Sequence, residues 1–204
     1  MVSIKYEGRF GNNLFQFATA KVIADKLELN ISNPLDTKIL PHENVFPPDT
    51  GDDIHFNGFF QTQKIINQFS ELNFLKIENR EETFVHARLG DLLEPHAKDG
   101  NRFVSQEYYE QSLQNSIGGY ISSDSPDHHI VQNLIKKYEL KLFNESPENT
   151  IIFAAGCSKK ILSLGTFSWW IGYLGNQKEV ICPDFSQYPV WHGSIFPQQG
   201  WKIC

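Results

Sequence analysis

A chain of 204 residues, 40% hydrophobic and 13% aromatic, can fill one generous core or two small ones and is not a disordered segment. Its formal net charge of -6 argues against a nucleic-acid partner, because a phosphate backbone requires a surplus of Lys and Arg on one face. Cys157, Cys182 and Cys204 are too irregularly spaced for a disulfide framework or a CxxC zinc site, and no stretch approaches the roughly 20 apolar residues of a membrane span.

These exclusions, with an N-terminus that lacks a signal-peptide pattern, predict a reduced, soluble, cytoplasmic setting, any membrane association being supplied from outside the chain. Along the chain, Val2, Ile4 and Tyr6 alternate as a short strand. Residues 8–13, GRFGNN, read as a turn. Residues 14–27 then repeat apolar side chains at helical spacing through Leu14, Phe17, Ala18, Val22 and Leu27. Residues 33–53 carry Pro34, Pro41, Pro47, Pro48 and Gly51 and read as a loop. IHFNGFFQTQ, 54–63, reads as a strand entering a helix near 62–69.

The charged stretch KIENREET, 76–83, marks a boundary between an N-terminal half, 1–78, and a C-terminal half, 79–204. Beyond it, strands at 83–89, 118–124, 140–143, 160–164 and 179–183 alternate with helices from about 105, over 128–138, near 149–156 and over 167–174. Strand and helix in alternation imply parallel βαβ units and an α/β sheet.

In such sheets ligands bind at the carboxyl ends of strands. Three polar clusters fall there: HARLGD at 86–91, SSDSPD at 122–127 and SLGTFS at 163–168. Arg88 is one of only four arginines, with Arg9, Arg80 and Arg102, and its planar fork suits a pyrophosphate; alternatively it pairs with Asp91 and ties down its own loop. His86 is spaced to share a strand face with Arg88, as a ligand contact or as a hydrogen-bonded core histidine. Gly165, Thr166 and Ser168 sit where a helix begins, offering hydroxyls and backbone N–H groups to an anion or forming an ordinary cap. Trp169 and Trp170 read as core. Asp124 either accepts from a guanine edge or caps the next helix. No DxD, GxSxG or HExxH occurs, which disfavours the common metal-chelating motif of sugar-nucleotide transferases and hydrolases built on serine or zinc.

Together these segments resemble glycosyltransferase family 11, the α-1,2-fucosyltransferase group. GRFGNNLFQFATA is similar to the family's opening G-G-L-G-N-Q-M-F-Q-Y-A, and GFFQTQKI resembles G-Y-F-Q-S-x-K-Y. HARLGD follows H-x-R-R-x-D, and LSLGTFSWWIGYL resembles S-N-S-T-F-S-W-W-x-x-x-L, in the family's order. The chain departs at Arg9, Leu89 and Leu164-Gly165, where the family has Gly, Arg and Asn-Ser.

The resemblance implies a GT-B-like α/β architecture: two Rossmann-like halves facing across a cleft, the N-terminal, acceptor-side half reduced and the C-terminal half holding the nucleotide sugar. It implies inverting, metal-independent transfer of fucose from GDP-fucose to a hydroxyl of a glycan acceptor, with no cofactor required. Arg88 then binds the pyrophosphate and stabilises the leaving group. Thr166, Phe167 and Ser168 lie at the phosphates, His86 and Asp124 near the guanine or ribose, and Gly11 and Asn12 toward the donor or acceptor. Asp91 orients Arg88 or serves as base; Asp91 and Glu7 are the carboxylates nearest the motifs, and a phosphate oxygen could take the proton instead. The departures leave open another donor, such as GDP-linked mannose or rhamnose or UDP-linked galactose. An inactive nucleotide- or glycan-binding module and a purely structural α/β protein also remain as readings.

Overall fold

Along β1 (Val2–Lys5) Val2 and Ile4 are buried while Ser3 and Lys5 are not, the two-residue period that a half-buried strand requires. The computed structural model describes residues 1–46, 51, 53–93, 103–188 and 197–204. Met1–Lys76 form one compact unit, and the described residues from Ile77 onward form a second.

In the first unit β1 pairs in parallel with β2 (Ile54–Asn57), and α1 (Phe10–Leu27) lies between them in sequence, a single βαβ unit. The helix starts earlier than apolar spacing suggests. Asn12 and Asn13 donate their backbone N–H groups to the Arg9 carbonyl, so Gly11, Asn12 and Asn13 form the first turn. The chain reverses just before it, at Gly8, whose φ of 83° is left-handed. Leu27, expected on the buried stripe, is exposed in the last turn, where Glu28 takes a left-handed φ of 55° and ends the helix.

The strand expected over 54–63 stops at Asn57, because Gly58 and Phe60 have φ of 138° and 56° and cannot continue a pleat. The helix expected near 62–69 is one α turn, α2 (Gln63–Ile66), followed by a 3₁₀ turn over Phe69–Glu71. In the loop at 33–53, residues 47–50 and 52 lie outside the described residues; the rest carry neither helix nor strand.

The second unit runs β3 (Arg80–Ala87), α3 (Gln106–Ser112), β4 (Tyr120–Ser123), α4 (His129–Tyr138) and β5 (Lys141–Leu142). It continues through α5 (Pro147–Gly156), β6 (Cys157–Ile161), α6 (Thr166–Tyr173), β7 (Glu179–Cys182) and β8 (Lys202–Ile203). Its six strands are all parallel in the order β5-β4-β3-β6-β7-β8. Counted within the unit, this is the doubly wound order 3-2-1-4-5-6, whose connections reverse direction between β3 and β6.

Ser105, His128 and Ser146 each accept a backbone N–H from the first turn of α3, α4 and α5, so polar residues before apolar runs start these helices. Two boundaries differ from the sequence reading. Strand β3 begins at Arg80, inside the charged run, since its first residues lie toward the solvent-facing end. Strand β6 covers Cys157–Ile161 rather than 160–164, entered directly from α5, and Ser163 and Leu164 lie beyond it. Strand β8, two residues long, is too short to leave a periodic signal.

Side chains of β3 alternate between faces. Val85 and Ala87 join a core with Tyr109, Ile121, Val131 and Leu134, on the side of α3 and α4. Phe84 and His86 turn the other way, Phe84 toward Phe153 of α5 and His86 toward Phe167 of α6. Trp169 and Trp170 are fully buried, so both pack α6.

Candidate active site

The polar clusters HARLGD, SSDSPD and SLGTFS leave the carboxyl ends of β3, β4 and β6, neighbouring strands that include the two flanking the reversal of strand order. A loop entering on one side of a reversal and one leaving on the other diverge from the sheet, and the crevice between them is where open α/β sheets take ligands.

Arg88 follows β3 immediately. Its backbone N–H donates to Ser163 Oγ at 3.2 Å, and the same oxygen accepts from the Tyr109 hydroxyl at 3.1 Å. The guanidinium lies against Gly165, the residue before α6: a Cβ there would collide with Arg88 Nη1, and the glycine's φ of 101° is strained for any other residue. The turn therefore favours glycine at 165, and its missing Cβ leaves the room that Arg88 Nη1 occupies. A fixed cation thus faces the positive end of a helix, an arrangement that favours an anion at both.

The guanidinium is only partly engaged. Nη2 donates to the two Asp91 oxygens at 3.3 and 3.1 Å, while Nε is buried with no hydrogen-bond partner among the described residues. Arg88 is 26% exposed and Asp91 45%, so their pair contributes about 0–1 kcal/mol. A diphosphate carries more charge and more acceptor oxygens than one carboxylate, so it competes with Asp91 for the fork.

His86 is buried, with Phe167 5.0 Å away between ring centroids, and its Nδ1 has no partner among the described residues. Burial pushes its pKa down to about 4; Asp124 opposes the shift and Arg88 adds to it. At neutral pH it is an uncharged imidazole.

Asp124, after β4, accepts the Leu89 and Gly90 N–H groups on one oxygen, Oδ1, at 2.8 and 3.0 Å. It does not cap the following helix, whose cap is His128. Thr166 opens α6 and is buried. Ser168 is fully buried, and its Oγ accepts the Ser163 N–H at 2.6 Å, which holds the loop after β6 closed on the helix. The second unit thus brings together His86, Arg88, Asp91, Asp124, Thr166 and Phe167, with Ser168 turned inward behind them.

Gly11 and Asn12 belong to the first unit, at the start of α1. There Asn12 Oδ1 accepts from Gln61 Nε2 at 3.1 Å, joining the two motif segments GRFGNN and GFFQ. Gln16, fully buried, accepts the Glu7 N–H on Oε1 and donates from Nε2 to the Gly58 carbonyl, both at 3.1 Å, tying the exits of β1 and β2. The Glu7 carboxylate pairs with Lys5 at 2.8 Å.

Sequence reasoning did not single out Ser163, Gln16 or Gln61. Each stands inside a quoted motif, but its role is a bond to a backbone or side chain distant in sequence. No group of His, Cys, Asp and Glu side chains among the described residues could hold a metal ion. No helix among them is long and apolar enough to cross a membrane.

A doubly wound parallel sheet with an arginine and a helix N-terminus at its reversal point makes this a Rossmann-like α/β protein, whose reversal point is where such sheets take ligands. The family model described as glycosyl transferase family 11 matches residues 57–189, and the chain belongs to that family, which is one of fucosyltransferase-type glycosyltransferases acting between a nucleotide sugar and a glycan acceptor. Neither the search of curated proteins nor that of solved structures gave a match.

Proposed function

We propose that the protein transfers fucose from GDP-fucose to a hydroxyl of a glycan acceptor, with inversion and without a metal. In this GT-B-type reading the second unit takes the nucleotide sugar and the first unit the acceptor. The observation that carries it is Arg88: a cation held by its backbone, set against the start of α6, with a buried Nε that has no partner among the described residues.

The chemistry follows from charge. The acceptor oxygen attacks C1 of the sugar from the face opposite the nucleotide, forming the new C–O bond. The bond from C1 to the β-phosphate oxygen breaks, and its electron pair leaves with GDP. Negative charge therefore grows on the diphosphate while the sugar becomes oxocarbenium-like. Arg88 and the first N–H groups of α6, at Thr166 and Phe167, meet that charge without reorganising, an effect worth about 3 kcal/mol for one well-placed contact. His86, neutral by burial, supplies a hydrogen-bonding nitrogen rather than a second charge. Asp91 orients Arg88 until the diphosphate replaces it; with attack from the opposite face, the acceptor proton passes to solvent or to a basic group on the acceptor's own side.

On the acceptor side, the segment after β2 carries Gln61, whose amide donates to Asn12 Oδ1, and two residues before it Phe59, which is 44% exposed. Phe60 next to it holds a φ of 56°, a conformation that costs a non-glycine residue about 1–3 kcal/mol and persists where surroundings enforce it. Amides for hydroxyls and a ring for the apolar face of a pyranose make a sugar-binding surface.

A thermal-shift panel of nucleoside diphosphates and nucleotide sugars tests the donor, because a ligand that binds only the native state raises stability. GDP and GDP-fucose should raise Tm and UDP should not. A shift with UDP alone would replace the donor, and GDP binding without turnover on any glycan would replace the transferase by a binding module.

A further inference from the structure

We propose that Asp124 is a positioning residue that sets the turn between Arg88 and Asp91, acting through the backbone rather than on the nucleotide. The proposal rests on the reading of Arg88 as the diphosphate-binding cation. Three consecutive N–H groups after β3 are claimed by side chains from both neighbouring strand ends. Arg88 N–H goes to Ser163 Oγ, beyond β6, and Leu89 and Gly90 N–H go to Asp124 Oδ1, beyond β4.

Ladder pairing of β3 with β4 ends at the Ala87–Ser123 register, so no strand partner holds these groups. The peptide planes of Leu89 and Gly90 lie between Arg88 and Asp91, and their orientation fixes where both side chains point. Asp124 also bears on the residue between them: a Cβ on Gly90 would collide with its Oδ2, so only glycine lets the carboxylate come this close. Hydrogen bonds from backbone N–H to a carboxylate are of the charge-assisted, short kind. Asp124 and Ser163 therefore act as a two-sided clamp on the loop that carries Arg88, and α4 is left to His128 for its cap.

Because both bonds end on one oxygen, the two roles open to Asp124 separate on substitution. In Asp124→Asn an amide oxygen in the place of Oδ1 keeps both hydrogen bonds and removes the charge; Asp124→Ala removes bonds and charge together. The test uses the full chain, with GDP titrated calorimetrically and amide hydrogen exchange followed at Leu89 and Gly90. For Ala, exchange at both amides should accelerate and GDP affinity should fall by about tenfold or more, the effect of losing a charged hydrogen-bond acceptor. Asn should keep the protection and recover affinity to within about threefold of the parent.

An Asn variant that keeps its amides protected yet binds GDP as weakly as Ala would overturn the proposal in favour of a direct contact of the carboxylate with ligand. So would an Ala variant whose amides exchange at the parent rate. If Ala does not fold, the Asn variant alone decides between these outcomes. A parent protein that binds no nucleoside diphosphate would remove the reading of Arg88, while exchange at Leu89 and Gly90 would still report whether Asp124 holds the turn.

Discussion

Replacing Arg88 by Ala separates a binding role from a structural one, because the two have very different sizes. The side chain's ion pair is with Asp91, 45% exposed, and such pairs contribute about 0–1 kcal/mol. Removing the cation also relieves its repulsion from the start of α6. For a chain of 204 residues each kcal/mol moves Tm by about 2–4 °C, so the variant should unfold within about 4 °C of the parent.

Loss of a contact made to charge that develops in the transition state costs about 2.7–4 kcal/mol, so turnover should fall on the order of 100- to 1,000-fold. Release of GDP from GDP-fucose in the presence of a glycan panel gives the rate, and near-ultraviolet circular dichroism of the buried Trp169 and Trp170 gives the unfolding curve. Arg88→Lys, which keeps the charge but not the fork, should fall between parent and Ala. Turnover within about threefold of the parent would refute the assignment. A Tm lowered by more than about 10 °C together with lost activity would make Arg88 a structural residue instead.

Gly165→Ala places a Cβ where φ is 101° and where Arg88 Nη1 lies; it should cost about 1–3 kcal/mol of stability and weaken GDP binding, measured by urea unfolding and calorimetry. Phe59→Ala should raise the acceptor KM about tenfold, the effect of losing roughly 1.5 kcal/mol of ring burial, and leave GDP affinity as in the parent; an unchanged acceptor KM would remove Phe59 from the acceptor surface. Lys160 is fully buried on β6, its Nζ donating to the carbonyls of Ala155, Gly172 and Leu174 at 3.4, 3.4 and 3.0 Å, and burial pushes its pKa from 10.5 down to about 7. Between those values the unfolded chain binds a proton that the folded chain does not, so this group adds stability as pH rises above about 7 and contributes a constant amount below it. The parent's advantage over Lys160→Met in urea should therefore grow from pH 7 to 9 by up to about 1.4 kcal/mol per unit, while the buried thiols Cys157 and Cys182, pushed up to about 12, are common to both proteins and drop out of the comparison; parallel curves would refute it.

Much of the second unit is legible in the sequence, because periodicity is local. The end of β3 in HARLGD, the end of β4 in SSDSPD and the helix start at Ser105 follow from spacing and capping chemistry that neighbouring residues decide among themselves. The misplaced boundaries have causes that lie outside the local sequence. Gly11-Asn12-Asn13 has turn chemistry yet forms the first turn of α1, and the polar Ser158-Lys159-Lys160 hides a strand whose lysine is satisfied by the ends of two helices. There tertiary contacts override propensity.

By itself the sequence determined the class: an acidic α/β chain whose polar clusters close strands, with an arginine too rare to be incidental and motifs like those of family 11. Tertiary structure decided the roles. Strand order is a long-range property, and only the order β5-β4-β3-β6-β7-β8 puts the end of β3 beside the end of β6, which brings Arg88 against Gly165 and its N–H onto Ser163, 75 residues away. Likewise Asp124 was a carboxylate with two readings until the turn 35 residues before it came within hydrogen-bonding distance. A residue's type announces what it can bond; the partner it finds depends on which distant backbone the fold delivers to it.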